Sequence, residues 1–257
     1  MGFQLPVSES QVSCILIVGD SHTHAIKKAL RTWSKGDCNG IEVQALGYAR
    51  EKNGKIIGDL SVDEINALAT CLNSSDLLVS AIGGNMHQVV SLVQHPIAFD
   101  FFMHDESQYS DTSFRQIIPY SQILDFFISN LRSKDCERLL QLKQSAKCKV
   151  CHLIPPPPKE NHEHILKNPE TTFRNNGIME RGISNPNLRL KAWKVQVKAL
   201  EAICKEMGVE LIKPPTDTVK KSGFLKEEYY ANDATHANAK YGLLVLNQLT
   251  DMLNDNE

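Results

Sequence analysis

Cys14-Ile15-Leu16-Ile17-Val18, running into Gly19-Asp20-Ser21-His22, is the stretch that decides the fold. An unbroken apolar run rich in β-branched residues reads as a strand buried on both faces, as the strands of parallel sheets are. Four further runs of this kind lie at 41 to 46, 77 to 82, 148 to 154 and 209 to 212. Between and after them, residues 23 to 34, 62 to 73, 121 to 145, 188 to 207 and 237 to 253 repeat apolar residues at three- and four-residue spacing. Strands alternating with helices predict an α/β fold with a parallel sheet and crossover helices. In the fourth helix the stripe Leu188, Trp193, Val197, Leu200, Ile203 and Cys204 is expected to face the sheet, leaving Lys191, Lys194 and Lys198 in water.

At 257 residues and 42% hydrophobic, one large core suffices. The expectation is a single domain over 1 to 257, with insertions where the alternation lapses, near 95 to 120 and 155 to 187. The first contains Phe99, Phe101 and Phe102; the second begins with Pro155-Pro156-Pro157-Pro158, which favours stiff extended backbone. The second leaves the end of the fourth strand and is read as a wall that shapes a substrate pocket. A net charge of −2 and a pI near 6.5, with basic residues scattered, argue against nucleic acid as a partner. The first apolar run is shorter than the ~7–15 residues of a signal-peptide core, and no run approaches the ~20 residues of a membrane span. A cytoplasmic location is the expectation.

Seven cysteines, at 14, 38, 71, 136, 148, 151 and 204, form no regular framework and read as reduced thiols. Cys148-Lys149-Val150-Cys151 has redox or metal spacing but lies in an apolar strand, which favours core packing. His162-Glu163-His164 lacks a third metal ligand nearby in the sequence.

The chemistry concentrates at element ends. Ser21 leaves the first strand and precedes a helix, so its N–H falls among the free donors of a helix N-terminus, although a serine there also serves as a helix cap. Asp233 and His236 sit three positions apart in Asp233-Ala234-Thr235-His236, close enough for the carboxylate to orient the imidazole as a general base, although Asp233 alone would also cap a helix. Asn85 follows Gly83-Gly84 at the end of the third strand and can aim an amide N–H₂ at developing negative charge; otherwise it is a loop asparagine in a left-handed turn. A nucleophile, a base and an oxyanion donor on one sheet edge is the arrangement of a serine hydrolase.

Gly19-Asp20-Ser21, Gly84-Asn85 and Asp233-x-x-His236, in this order, resemble the GDSL/SGNH hydrolase superfamily of esterases, lipases and carbohydrate deacetylases. The resemblance implies a three-layer α/β/α fold with a five-stranded parallel, flavodoxin-like sheet. It implies Ser21 as nucleophile, His236 as base and Asp233 as its partner, acting on an acyl ester or a carbohydrate O-acetyl ester without metal or cofactor. It implies an oxyanion hole of the Ser21 N–H, the Asn85 side chain and a glycine N–H after the second strand, for which Gly47 is best placed and Gly54 and Gly58 are fallbacks. Two positions depart from the pattern: His22 stands where leucine is usual and Met86 where aspartate is usual. His22, Gly84, His87 and His152 are further candidates for contact with a small-molecule or carbohydrate ester; packing is the alternative for each histidine. An O-acyltransferase using the same triad and a non-catalytic flavodoxin-like binding module are the other readings.

Overall fold

The computed structural model describes residues 13–33, 40–52, 54–103 and 116–254. Cys38, most of the N-terminal stretch and part of the first insertion therefore lie outside the described residues. β1 (Cys14–Gly19) leads into α1 (Thr23–Leu30), β2 (Glu42–Gly47), the short β3 (Arg50–Lys52) and β4 (Lys55–Ile57), α2 (Val62–Cys71) and β5 (Leu77–Ala81). There follow α3 (Met86–Ser91), β6 (Phe99–Asp100), β7 (Gln116–Ile117), α4 (Tyr120–Ser145) and β8 (Lys149–Leu153). The second insertion holds α5 (His162–Lys167), α6 (Thr171–Asn175) and α7 (Ile178–Arg181); α8 (Pro186–Met207), β9 (Glu210–Ile212) and α9 (Ala239–Asn254) close the chain.

The main sheet runs β2-β1-β5-β8-β9 and every pair in it is parallel. Counting those five strands along the chain gives the order 2-1-3-4-5 of flavodoxin-like sheets. All five expected strands and all five expected helices are present, with ends moved by a few residues. The alternation of β1 explains the layers. Ile15 and Ile17 point into a core with Ile26 and Ala29 of α1 and Val245, Leu246 and Leu249 of α9. Leu16 and Val18 point into the opposite core with Ile65 and Ala69 of α2 and Leu139 and Leu142 of α4. α9 can lie tightly on α1 because Gly242 has no Cβ; one built there would stand 2.3 Å from the Ala25 carbonyl oxygen.

One surface expectation fails. Lys194 and Lys198 are exposed, but Lys191 is 6% exposed: its Nζ donates to the Asp100 carboxylate, and to the Phe101 carbonyl at 2.8 Å. β6 brings Asp100 over α8, and a lysine can stay buried where a carboxylate and a carbonyl meet it. The apolar stripe of α8 accordingly runs through Leu188, Ala192, Val195, Ala199 and Ile203.

In such a sheet the connections from neighbouring strands leave towards opposite faces at one point, here between β1 and β5, and ligands bind outside the carboxyl ends there. Ser21 and the Gly83–Asn85 segment follow those two strand ends.

Candidate active site

The turn after β1 presents Ser21 rather than using it. His22, not Ser21, occupies the N-cap position of α1 and makes no side-chain cap bond. Among the described residues none hydrogen-bonds the Ser21 N–H or hydroxyl. The neighbouring Asp20 is a clamp. Its carboxylate accepts two bonds from Arg138 of α4, at 3.0 and 2.9 Å, and the Gly83 N–H at 2.9 Å. Burial pushes the Asp20 carboxyl upward, but the Arg138 and Gly83 hydrogen bonds outweigh it and hold the group below its ordinary value. The clamp ties the end of β1 to the end of β5, and so fixes Ser21 relative to Asn85. Asp135 accepts a further bond from Arg138 at 3.0 Å. Arg138 lies 118 residues from Asp20, so no local sequence signal announces the pair.

Asp233 and His236 meet in a segment that belongs to neither helix nor strand. The two carboxylate oxygens divide the work. Oδ1 accepts the backbone N–H of Thr235 at 3.1 Å and of His236 at 2.8 Å, while Oδ2 lies 2.9 Å from His236 Nδ1. Capping and orientation of the imidazole, alternatives in the sequence, are thus both served, and the capped element is a turn, since α9 begins only at Ala239. Burial raises the Asp233 carboxyl, but the His236 hydrogen bonds and charge, with Lys159 behind them, hold it well below the usual carboxylate range. An ionised carboxylate only accepts, so Nδ1 carries a proton, and in the neutral imidazole Nε2 keeps a lone pair. That Nε2 is buried and has no hydrogen-bond partner.

The second insertion does more than line a pocket. Glu170 accepts the Ala234 N–H at 3.2 Å and the Thr235 hydroxyl, and its Oε1 stands 3.5 Å from His236 Nδ1. Pro155 and Pro156 do border the cavity beside Ser21, but Glu170 and Lys159 brace the Asp233–His236 segment from outside. Among the described residues, Glu170, Asp233 and His236 have metal-ligand spacing, within 4.8 Å of one another, yet the carboxylate oxygens are already engaged by Thr235, Ala234 and the imidazole. His164 does not serve a metal either: its Nε2 lies 2.9 Å from the Ala231 carbonyl. Cys148 and Cys151 are free and buried, and burial pushes both thiols up, Cys151 to about 12.

Asn85 has φ −93°, so it is not a left-handed loop residue, and its side chain makes no cap bond to α3. It lines the same cleft as Ser21. Gly47 does not offer a free donor: its N–H is given to the Asp59 carboxylate at 2.5 Å, which Lys27 holds in place with two contacts of 2.6 Å. The turn after β2 folds Asp59 back over the strand end, and the acid takes the donor. Gly84 is backbone-forced, with φ +95°, and a Cβ there would stand 2.7 Å from the His22 ring, so its smallness makes room for that imidazole. His22 lines the cavity with His236, ring centroids 5.4 Å apart, and burial lowers it to about 3, helped by the charges of His236 and His87. It is therefore a neutral imidazole at pH 7. His87 and His152 take the packing alternative. His87 is held by Gln196 at 3.0 Å and Gln88 at 2.9 Å, His152 by Ser80 at 3.0 Å, and burial lowers each to about 4.

Two cavities meet at Ser21. One is a slot of about 30 Å³ walled by Ala25, Ile26, Ile82, Leu153 and Val245, with His22 and His236 at its mouth. The other is a cleft of about 500 Å³ bordered by Arg50, Asn85, Asn130, Asp135 and Arg138.

No protein-family model matches the chain, and no curated protein does. Among solved structures, the chain is similar to a GDSL-like lipase from Bacteroides thetaiotaomicron, with 13% identity, 99% of this chain and 93% of that one covered, and a TM-score of 0.46. It is similar to Est24, a carbohydrate acetylesterase from Sinorhizobium meliloti, at 12% identity over 95% of this chain and 100% of that one, TM-score 0.44. It is also similar to an aryl esterase from M. smegmatis, at 14% identity over 95% and 99%, TM-score 0.46. These are likenesses of fold, and the chemistry rests on the residues of the site.

Proposed function

We propose that the protein is a serine esterase in which Ser21 attacks the acyl carbon, His236 takes the hydroxyl proton and passes it to the departing alcohol oxygen as the ester bond breaks, and Asp233 fixes the imidazole tautomer. Water activated by His236 then releases the acyl group as the acid and restores Ser21. The observation that carries this reading is the His236 Nε2: buried, without a partner, its opposite nitrogen held by an ionised carboxylate, in a cavity that Ser21 also lines. A base in this state lacks only the hydroxyl proton, and serine–imidazole bonds commonly tighten only when substrate is bound. The oxyanion would meet the Ser21 N–H and the Asn85 amide. Asn85→Ala should lower kcat by about 10²- to 10³-fold, the usual effect of deleting one such donor, with a modest fall in Tm from the lost side-chain hydrogen bond to buried His22. Full activity in a folded Asn85→Ala protein would remove it from this role.

The cavities suggest the substrate class. A slot of about 30 Å³ has space for roughly two water molecules, and its apolar walls suit a methyl group rather than a chain. The larger, polar-rimmed cleft suits a hydroxyl-rich alcohol. An acetyl ester of a polar alcohol is the substrate class proposed. Each added methylene must push close-packed walls apart, so kcat/KM for p-nitrophenyl esters should fall by about 10- to 100-fold from acetate to butyrate. A flat or rising series would assign the slot another use, and product analysis with competing alcohols would report any acyl transfer.

A further inference from the structure

Lys159 follows the four prolines of the second insertion, and its side chain has no exposed surface. Its Nζ donates to the Ala231 carbonyl at 2.7 Å and the Asp233 carbonyl at 2.5 Å, and lies 3.4 Å from Asp233 Oδ1. The segment it grips carries both Asp233 and His236 and is a tight turn outside any helix or sheet, closed at its base by the Ala231 N–H donating to the His236 carbonyl at 3.0 Å and by the Tyr230–Ala237 bridge. Resting on the triad proposed above, we infer that Lys159 is a positioning residue whose ammonium holds the Asp233–His236 segment in register with Ser21, and that loss of its proton sets an alkaline limit on activity.

The groups facing the ammonium are few. Asp233 and, farther off, Glu170 favour the charged form; His164 Nε2 stands 3.3 Å away and the Tyr230 ring centroid 5.1 Å. Burial outweighs them and lowers Lys159 from 10.5 to about 8. Burial pushes the Tyr230 hydroxyl beside it the other way, upward and out of that range. A neutral amine loses one of its three donors and its attraction to Asp233, and the two carbonyls are then held less firmly.

The sign separates this effect from unfolding. Between about pH 8 and 10.5 the unfolded chain keeps the Lys159 proton that the folded chain has released, so this group makes fold stability rise with pH there. Activity should therefore fall near pH 8 before Tm does, because the buried thiols, whose raised values make stability fall with pH, do so only above their ordinary value of 9.0.

The test is the pH profile of blank-corrected kcat/KM for p-nitrophenyl acetate, with Tm at each pH, for wild type, Lys159→Met and Lys159→Arg. Wild type should lose activity above about pH 8. Lys159→Met should be about 10- to 100-fold slower at pH 7, as misplaced catalytic groups are, and have no limb near pH 8. Lys159→Arg keeps its charge, so its limb should move at least one pH unit upward, which decides the matter if the methionine variant fails to fold. A flat wild-type profile to pH 10, a wild-type limb in Lys159→Met, or an unmoved limb in Lys159→Arg would overturn the inference. Covalent labelling of wild-type Ser21 at pH 7 reads the triad separately: its failure condemns the triad, whereas labelling together with unmoved limbs condemns only the role of Lys159.

Discussion

Ser21→Ala is expected to lower kcat for p-nitrophenyl acetate by roughly 10⁴- to 10⁶-fold, the range seen when a nucleophilic serine is removed from a triad. The hydroxyl is the only group lost, and no described residue bonds to it, so Tm should stay within a few degrees of wild type. The residual rate would come from the oxyanion donors and the shape of the site. Steady-state kinetics and a thermal melt on the same preparation check both halves. A variant that keeps more than a tenth of wild-type activity would show that Ser21 is not the nucleophile.

Asp233→Asn should come close behind, with a loss of about 10⁴-fold at neutral pH. The amide oxygen can still accept the Thr235 and His236 N–H groups that Oδ1 now holds, so the turn should persist. The amide nitrogen, however, would face Nδ1 as a donor. The imidazole must then turn its lone pair towards that amide and its proton towards Ser21, which is the wrong tautomer for a base. The variant also removes the charge opposite buried Lys159, so a lower Tm is expected as well. Measuring kcat and Tm together separates the two effects: a folded variant with near wild-type kcat would exclude Asp233 as the orienting group.

The sequence made the sheet and its main helices legible because β1, β5 and β8 are apolar on both faces and the helices carry regular stripes. It also marked Ser21, Asn85, Asp233 and His236, since each sits beside a strand end or in a short motif. What it could not show were contacts made by distant residues of ordinary type. Arg138 on Asp20 and Lys159 on the Ala231 and Asp233 carbonyls carry no local signal, and Lys191, expected in water, is buried only because the fold brings Asp100 to it. The Gly47 expectation failed for a related reason: the glycine is at the right strand end, but the returning Asp59 takes its N–H. Two-residue strands such as β6, and helices as short as α6 and α7, hold too few residues to show a period. Their place is set by packing, through Phe101, Phe173 and Ile178.

In this mechanism Ser21 carries the acyl group. Mixing the enzyme with excess p-nitrophenyl acetate, quenching in acid within milliseconds and weighing the intact protein should show one added acetyl group, mapped by peptide analysis to the fragment containing Ser21 and absent from Ser21→Ala. Turnover of the ester with an acetyl group on another residue, or with an equal adduct in Ser21→Ala, would contradict the account.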